Sequence, residues 1–196
     1  MGVFFLPAEI KISEQQILDA ALAILQKDGL AALSARAVCK KLSCTARPIF
    51  RAFDSMDGLK KALLKSVKNI YLHRLNQPYE SEYPFLHLGI NYIQFAMEEK
   101  NLFSFLFMSG QIEVKSPAEL ISDNWNDVIG DISEHLKLNR EDAKTLLLEV
   151  SILAHGMAVL IIMNRIAYRL DEIENLFLIA FEGIYKVLKE KGGTGK

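Results

Sequence analysis

The chain is poor in the residues that most often announce a chemistry. Its 196 residues include two cysteines, four histidines, five prolines and one tryptophan. Two thiols, Cys39 and Cys44, build no disulfide framework and fit a reducing compartment. Their default role is that of small apolar side chains, with a redox-sensing pair as the alternative. The histidines, at 73, 87, 135 and 155, form no His-x-x-x-His pair and no Glu-x-x-His, so a di-iron helical bundle lacks its ligands. No glycine-rich phosphate loop or nucleophile elbow occurs. We therefore expect no enzyme, no metal and no cofactor.

Long apolar runs are missing too. The longest, "SILAHGMAVLIIM" (151–163), is shorter than a bilayer span and contains His155. "MGVFFLP" has four apolar residues before Pro7 and no basic start, so it does not read as a signal peptide. Nor does it match a myristoylation site, because Leu6 stands where Ser or Thr is needed. The expectation is a soluble, cytoplasmic protein without a membrane partner.

The composition is globular, 51% apolar and 24% charged, and the formal net charge is −1. That near-neutrality conceals an asymmetry. Residues 1–75 hold 12 Lys and Arg against 6 Asp and Glu, while the remainder holds 11 against 18. A basic amino-terminal part joined to a larger acidic part suggests a polyanion-binding module on a carrier with another task.

Apolar residues recur at helical spacing almost throughout, and no alternating strand pattern or internal repeat is present. The fold class is all-α, with about nine helices. Ser13 and Gln16 form a capping box opening a helix that Gly29 closes. Ser34 caps a helix over 35–42, "SCT" turns the chain, and Thr45 caps a second short helix over 46–53. Pro48 lies in that helix's first turn, where its missing N–H does no harm. Ser55 caps a longer helix over 56–75. "NQPYESEYP" (76–84) reads as a joint. Helices follow over 116–136, near 140–167 and over 171–190, and the tail "GGTGK" reads as frayed. The expected division is a first domain over 1–55, a connector over 56–75, and a second domain over 76–196.

Two short helices behind a longer one, joined by a three-residue turn, have helix-turn-helix proportions. Residues 33–53 carry five basic side chains and no acidic one. In such a unit the second helix enters the major groove. Thr45, Ala46 and Arg47 would face base edges, with Arg47 placed for a bidentate pair to guanine. Arg36, Lys40, Lys41 and Arg51 would contact phosphates, and the N-termini at Ser34, Thr45 and Ser55 add oriented N–H groups. A merely solvated helical pair is the plainer alternative.

Residues 13–64, through "ILDAAL", "DGLAALSARAVCKKLSCTARPIFRAF" and "DSMDGLKKALL", resemble the DNA-binding domain of the TetR family of bacterial transcriptional repressors. Ser34, Arg36, Val38, Thr45, Ile49, Phe50, Phe53, Asp57 and Leu59 carry the match. The chain departs from that pattern at three places: Phe50 where tyrosine is usual, Met56 where lysine is usual, and Ser43 where glycine is frequent. The first two departures remove phosphate contacts. "INYIQFAMEEKNLFSFLFMSG" (90–110) and "AHGMAVLIIM" (154–163) are similar to one class of that family's carboxy-terminal domains, through Tyr92, Phe95, Ala96, Leu102, Phe103, Phe107, His155 and Gly156.

A helix-turn-helix reader of near-palindromic duplex works as a homodimer. The resemblance implies that the last two helices pair with their mates as a four-helix bundle. Expected interface residues are Leu147, Val150, Ala154, Met157, Leu160 and Ile161 on the first, and Phe177, Ala180, Phe181, Ile184 and Leu188 on the second. Tyr92, Phe95, Phe103, Phe107, Trp125 and Met157 are the expected lining of a pocket for a small hydrophobic effector. His87 and His155 read as hydrogen-bonded structural residues. The expected function is ligand-responsive repression at a double-stranded DNA operator. The alternative is a helical protein that binds a small molecule or partner and has lost operator binding.

Overall fold

The computed structural model describes residues 12–78, 83, 85–110 and 125–193. Among them are nine α-helices, one short 3-10 turn and no strand, the all-α class expected. The amino-terminal unit, Met1–Ser66, holds α1 (Glu14–Asp28), α2 (Ala35–Leu42), α3 (Arg47–Phe53) and the first half of α4 (Met56–Leu75).

Each of these helices has a readable local cause. The Gln16 N–H donates to Ser13 Oγ (3.2 Å) and the Ser13 N–H to Gln16 Oε1 (2.9 Å), closing the capping box of α1. Gly29, at φ 79°, ends it. Ser34 Oγ accepts from the Ala37 N–H (3.2 Å) and starts α2. One expectation fails at α3. Thr45 does not cap it; Ala46 occupies the cap position with near-helical dihedrals and no side-chain oxygen. Pro48 in the first turn has no N–H to satisfy, so α3 starts with one orphan donor fewer.

Two backbone constraints set the corners. Ser43 ends α2 in the left-handed region, at φ 50°. Asp54 ends α3 at φ 59°, and Ser55 then caps α4, its Oγ accepting from the Gly58 N–H (3.0 Å). The corner is so tight that a Cβ on Gly58 would lie 2.0 Å from the Phe53 carbonyl oxygen. Ile17, Ala21 and Leu25 of α1, Val38 of α2, Ile49 and Phe53 of α3, and Leu59 and Leu63 of α4 form the unit's core.

The second unit, Val67–Lys196, holds the rest of α4, then α5 (Leu86–Glu98), α6 (Lys100–Phe107), α7 (Trp125–Leu136), α8 (Arg140–Ile162) and α9 (Leu170–Gly193). The helix expected over 116–136 is described from Trp125 onward; 116–124 lie outside the described residues. Of the expected joint at 76–84, residues 76–78 and 83 are described. Of the tail expected to fray, Gly192 and Gly193 belong to α9, and 194–196 lie outside the described residues.

Nearly every side of α5 is buried, which makes it the unit's central helix. Gly89 admits the ring of Phe177, whose Cζ would lie 2.2 Å from an added Cβ. Buried Asn91 donates to the carbonyls of Leu75 and Gln77, both at 2.9 Å, satisfying groups that the end of α4 leaves open. By length and composition α8 alone among the described residues is apolar enough to cross a bilayer. It packs instead against α5, α7 and α9, as a core helix does.

Two substitutions in the first unit should have opposite signs. Ser43→Gly relieves a left-handed serine and should stabilise by about 1 kcal/mol. Gly58→Ala forces the α3–α4 corner apart and should destabilise by about 1–3 kcal/mol. Urea midpoints of the full chain, followed by far-ultraviolet circular dichroism, check both.

Candidate nucleic-acid interface

The helix-turn-helix places its cations outward. On α3, Ile49 and Phe53 point into the core. Arg47, Phe50 and Arg51, at i, i+3 and i+4, lie on the opposite face and are exposed. Ser34, Arg36, Lys40, Lys41 and Thr45 are exposed as well, and Ala46 is half-buried beside them. Arg36, Lys40, Lys41, Arg47 and Arg51 make no side-chain ion pair or hydrogen bond with any described residue. Lys60 on α4, by contrast, is held by Asp57 at 3.0 Å.

Five exposed cations on two adjacent helices, free of acidic partners, raise the local potential and attract polyanions. Phe50, 43% exposed, is the apolar member of the outward face. It has no hydroxyl to offer a phosphate, but its ring can pack on a sugar or a thymine methyl. Lys61 and Lys65 of α4 are exposed and unpaired too; they were not singled out from the sequence, because a lysine on a long solvated helix carries no distinguishing pattern.

The family model for bacterial regulatory proteins of the tetR family matches residues 17–63, the stretch that builds this face. Over those residues the chain is similar to the family's amino-terminal domain. Nine chains of solved structures match it in fold. One is the crystal structure of a TetR-like transcriptional regulator from Rhodococcus sp. RHA1, 17% identical, with a TM-score of 0.53 over 98% of this chain and 100% of that one. No curated protein matches the chain in sequence.

In the second unit, four of the six expected effector contacts come together in one ring cluster. Tyr92, Phe103 and Phe107 meet at centroid distances of 4.8–5.3 Å, and Phe95 joins them at 6.4 Å from Phe103. Tyr71, not singled out from the sequence, packs on Phe95 (5.4 Å) and Phe107 (5.2 Å). Tilted and edge-on contacts are the arrangements that aromatic rings favour. Met157 is buried, and Trp125, half-buried at the start of α7, touches none of these rings among the described residues.

Tyr92 is the polar member of the cluster. Its hydroxyl lies 2.8 Å from His155 Nδ1. Burial pushes the Tyr92 phenol far above its usual range and lowers His155. The pair is therefore neutral near pH 7, and the phenol O–H donates to Nδ1 when the ring hydrogen sits on Nε2. One cleft among the described residues shares Phe95 with this cluster, and its lining mixes polar and apolar side chains. It has about 210 Å³ of space, lined by Arg74, Gln77, Pro78, Asn91, Gln94, Phe95 and Glu98, with Arg74 bridging Glu98 at 3.1 Å.

Most of the expected dimer residues are covered within the single chain. Leu147, Val150, Ala154, Met157 and Ile161 of α8, with Phe177, Phe181 and Leu188 of α9, are buried within the single chain. Ala180 and Ile184 are half-buried. Only Leu160, 40% exposed, faces out. The apolar side chains left bare are Ile152, Leu160 and Met163 on α8, and Leu176, Leu178, Ile179 and Val187 on α9. Both helices are apolar on more than one face, so spacing alone selected the side turned inward.

The Tyr92–His155 pair predicts a pH dependence. A histidine lowered on folding stabilises fully above its unfolded value, about 6.5, and loses that contribution as pH falls through the lowered folded value. Stability should therefore decline below about pH 6.5. In His155→Gln that part of the slope should vanish; an unchanged slope would show that other groups cause it.

Proposed function

We propose that the chain is a ligand-responsive repressor that binds a near-palindromic operator as a homodimer and is released by a small hydrophobic effector. The observation that carries this reading is the outward face of α2 and α3, with five exposed cations and no partner for any of them among the described residues. Arg47 reads a guanine edge, while Arg36, Lys40, Lys41 and Arg51 hold phosphates. The bare stripe of Ile152, Leu160 and Met163 beside Leu176, Ile179 and Val187 supplies the surface that joins two copies. A cytoplasmic site of action follows from the DNA target.

Release requires an effector that prefers the conformation unable to bind DNA. The rings of the aromatic cluster contact one another in the described state. A hydrophobic effector that parts Tyr92 from His155 and replaces ring contacts would bind an opened form selectively, which is the required bias. Phe50 and Met56 favour the second reading, a helical binding protein without an operator, since each removes a phosphate contact usual in the family.

Duplex from the chain's own promoter region should shift, with affinity falling about a hundredfold or more between roughly 50 and 200 mM salt. Arg47→Ala should relax base preference at one position, and Lys41→Ala should weaken all sequences alike. Phe50→Tyr should tighten binding by about tenfold if its hydroxyl reaches a phosphate. Binding that is equal for every promoter would favour the second reading. Ile179→Glu should shift sedimentation from two copies to one; a wild-type chain that sediments as one copy at micromolar concentration would end the homodimer proposal.

A further inference from the structure

The chain's two cysteines meet in the turn of the helix-turn-helix. The Ser43 N–H and the Cys44 N–H both donate to the Cys39 carbonyl, the latter at 3.0 Å. With Ser43 left-handed, the second bond is the six-to-one link of a Schellman cap, which brings together the side chains of its two end residues. That contact is ordinarily apolar. Here both positions are cysteine, so the cap sets the two thiol-bearing residues side by side. Both residues are half-buried, neither is in a disulfide, and the chain has no other thiol.

We propose that Cys39 and Cys44 are a peroxide-oxidisable pair whose closure to a disulfide across the turn lowers DNA affinity. The second half of this statement rests on the DNA-binding reading above. The Cys39 thiolate attacks the O–O bond of the peroxide and takes one oxygen, becoming a sulfenic acid, and the other oxygen leaves as hydroxide. The Cys44 sulfur then displaces the sulfenic hydroxyl. The protons lost by the two thiols convert the two hydroxides to water, so two thiols and one peroxide yield one disulfide and two waters. Burial first, then the nearness of Cys39, push the Cys44 thiol above the ordinary range, which disfavours its thiolate as the first attacker. A disulfide demands Cβ atoms about 3.5–4.5 Å apart and a dihedral near a right angle. Meeting that geometry redraws the turn immediately before Thr45 and Arg47, the residues that face bases.

The test uses the full chain, reduced, then treated with hydrogen peroxide. Free-thiol titration, intact mass and non-reducing electrophoresis read the first half. Both thiols should disappear together, with the loss of two hydrogens in mass, no link between chains, and full recovery with dithiothreitol. Promoter-DNA affinity should fall by about tenfold or more on oxidation, as expected when a base-reading residue is displaced. In Cys39→Ala and Cys44→Ala, checked for helicity, peroxide should leave affinity unchanged. Added oxygen instead of lost hydrogen, a disulfide between chains, or a turn disulfide that leaves affinity unaltered would overturn the proposal. A reduced chain that binds no duplex sinks the DNA-binding reading, and with it the affinity half of the proposal, while mass still decides the closure.

Discussion

Helices of eight and seven residues do not persist alone in water, because nucleation costs more than so few hydrogen bonds return. The existence of α2 and α3 depends on docking Val38, Ile49 and Phe53 into the core shared with α1 and α4. That constraint divides the labour between their faces. The inward side supplies all the stabilisation, so the outward side is free to carry arginine, lysine and an exposed phenylalanine without regard for cohesion. A basic face on such short elements is possible because the elements do not rely on it.

How much of this was legible beforehand follows the range of the interactions. Caps and corners are local: Ser13 with Gln16, Ser34 and Ser55 all act as their sequence context implies. Thr45 fails because proline in the first turn removes the donor a threonine would have served, and the chain begins α3 one residue later. The outward cations were legible too, since α2 and α3 each have one apolar face and the rest must meet solvent. The second unit is different. With apolar residues on several sides of α8 and α9, a period of 3.6 fits more than one face. Which face turns inward is decided by packing against other helices, above all α5, an element distant in sequence. The aromatic residues pose the same problem: composition gathers them, but only packing decides whether they enclose space or fill it.

Inside the second unit a few polar groups impose order on an otherwise interchangeable apolar interior. Asn91 ties α5 to the last carbonyls of α4, and Tyr92 meets His155 across α5 and α8. A buried donor without its acceptor costs more than the bond itself contributes, so each pairing disfavours helix registers that would break it. The aromatic cluster thus has one preferred arrangement, and any molecule that enters must offer Tyr92 and His155 an alternative.

Two glycines on the outer side of α8 and α9, Gly156 and Gly183, lie along the bare apolar stripe, and a methyl added at either would touch nothing within 4 Å. In an isolated chain, alanine at these points is a gain, about 0.5–1 kcal/mol of helix preference with no steric penalty. The sign of the change is therefore a silent witness to company. Should alanine weaken the protein at either site, the obstruction cannot come from the chain's own described atoms, and the neighbour that supplies it must approach within a methyl's breadth of the bare backbone.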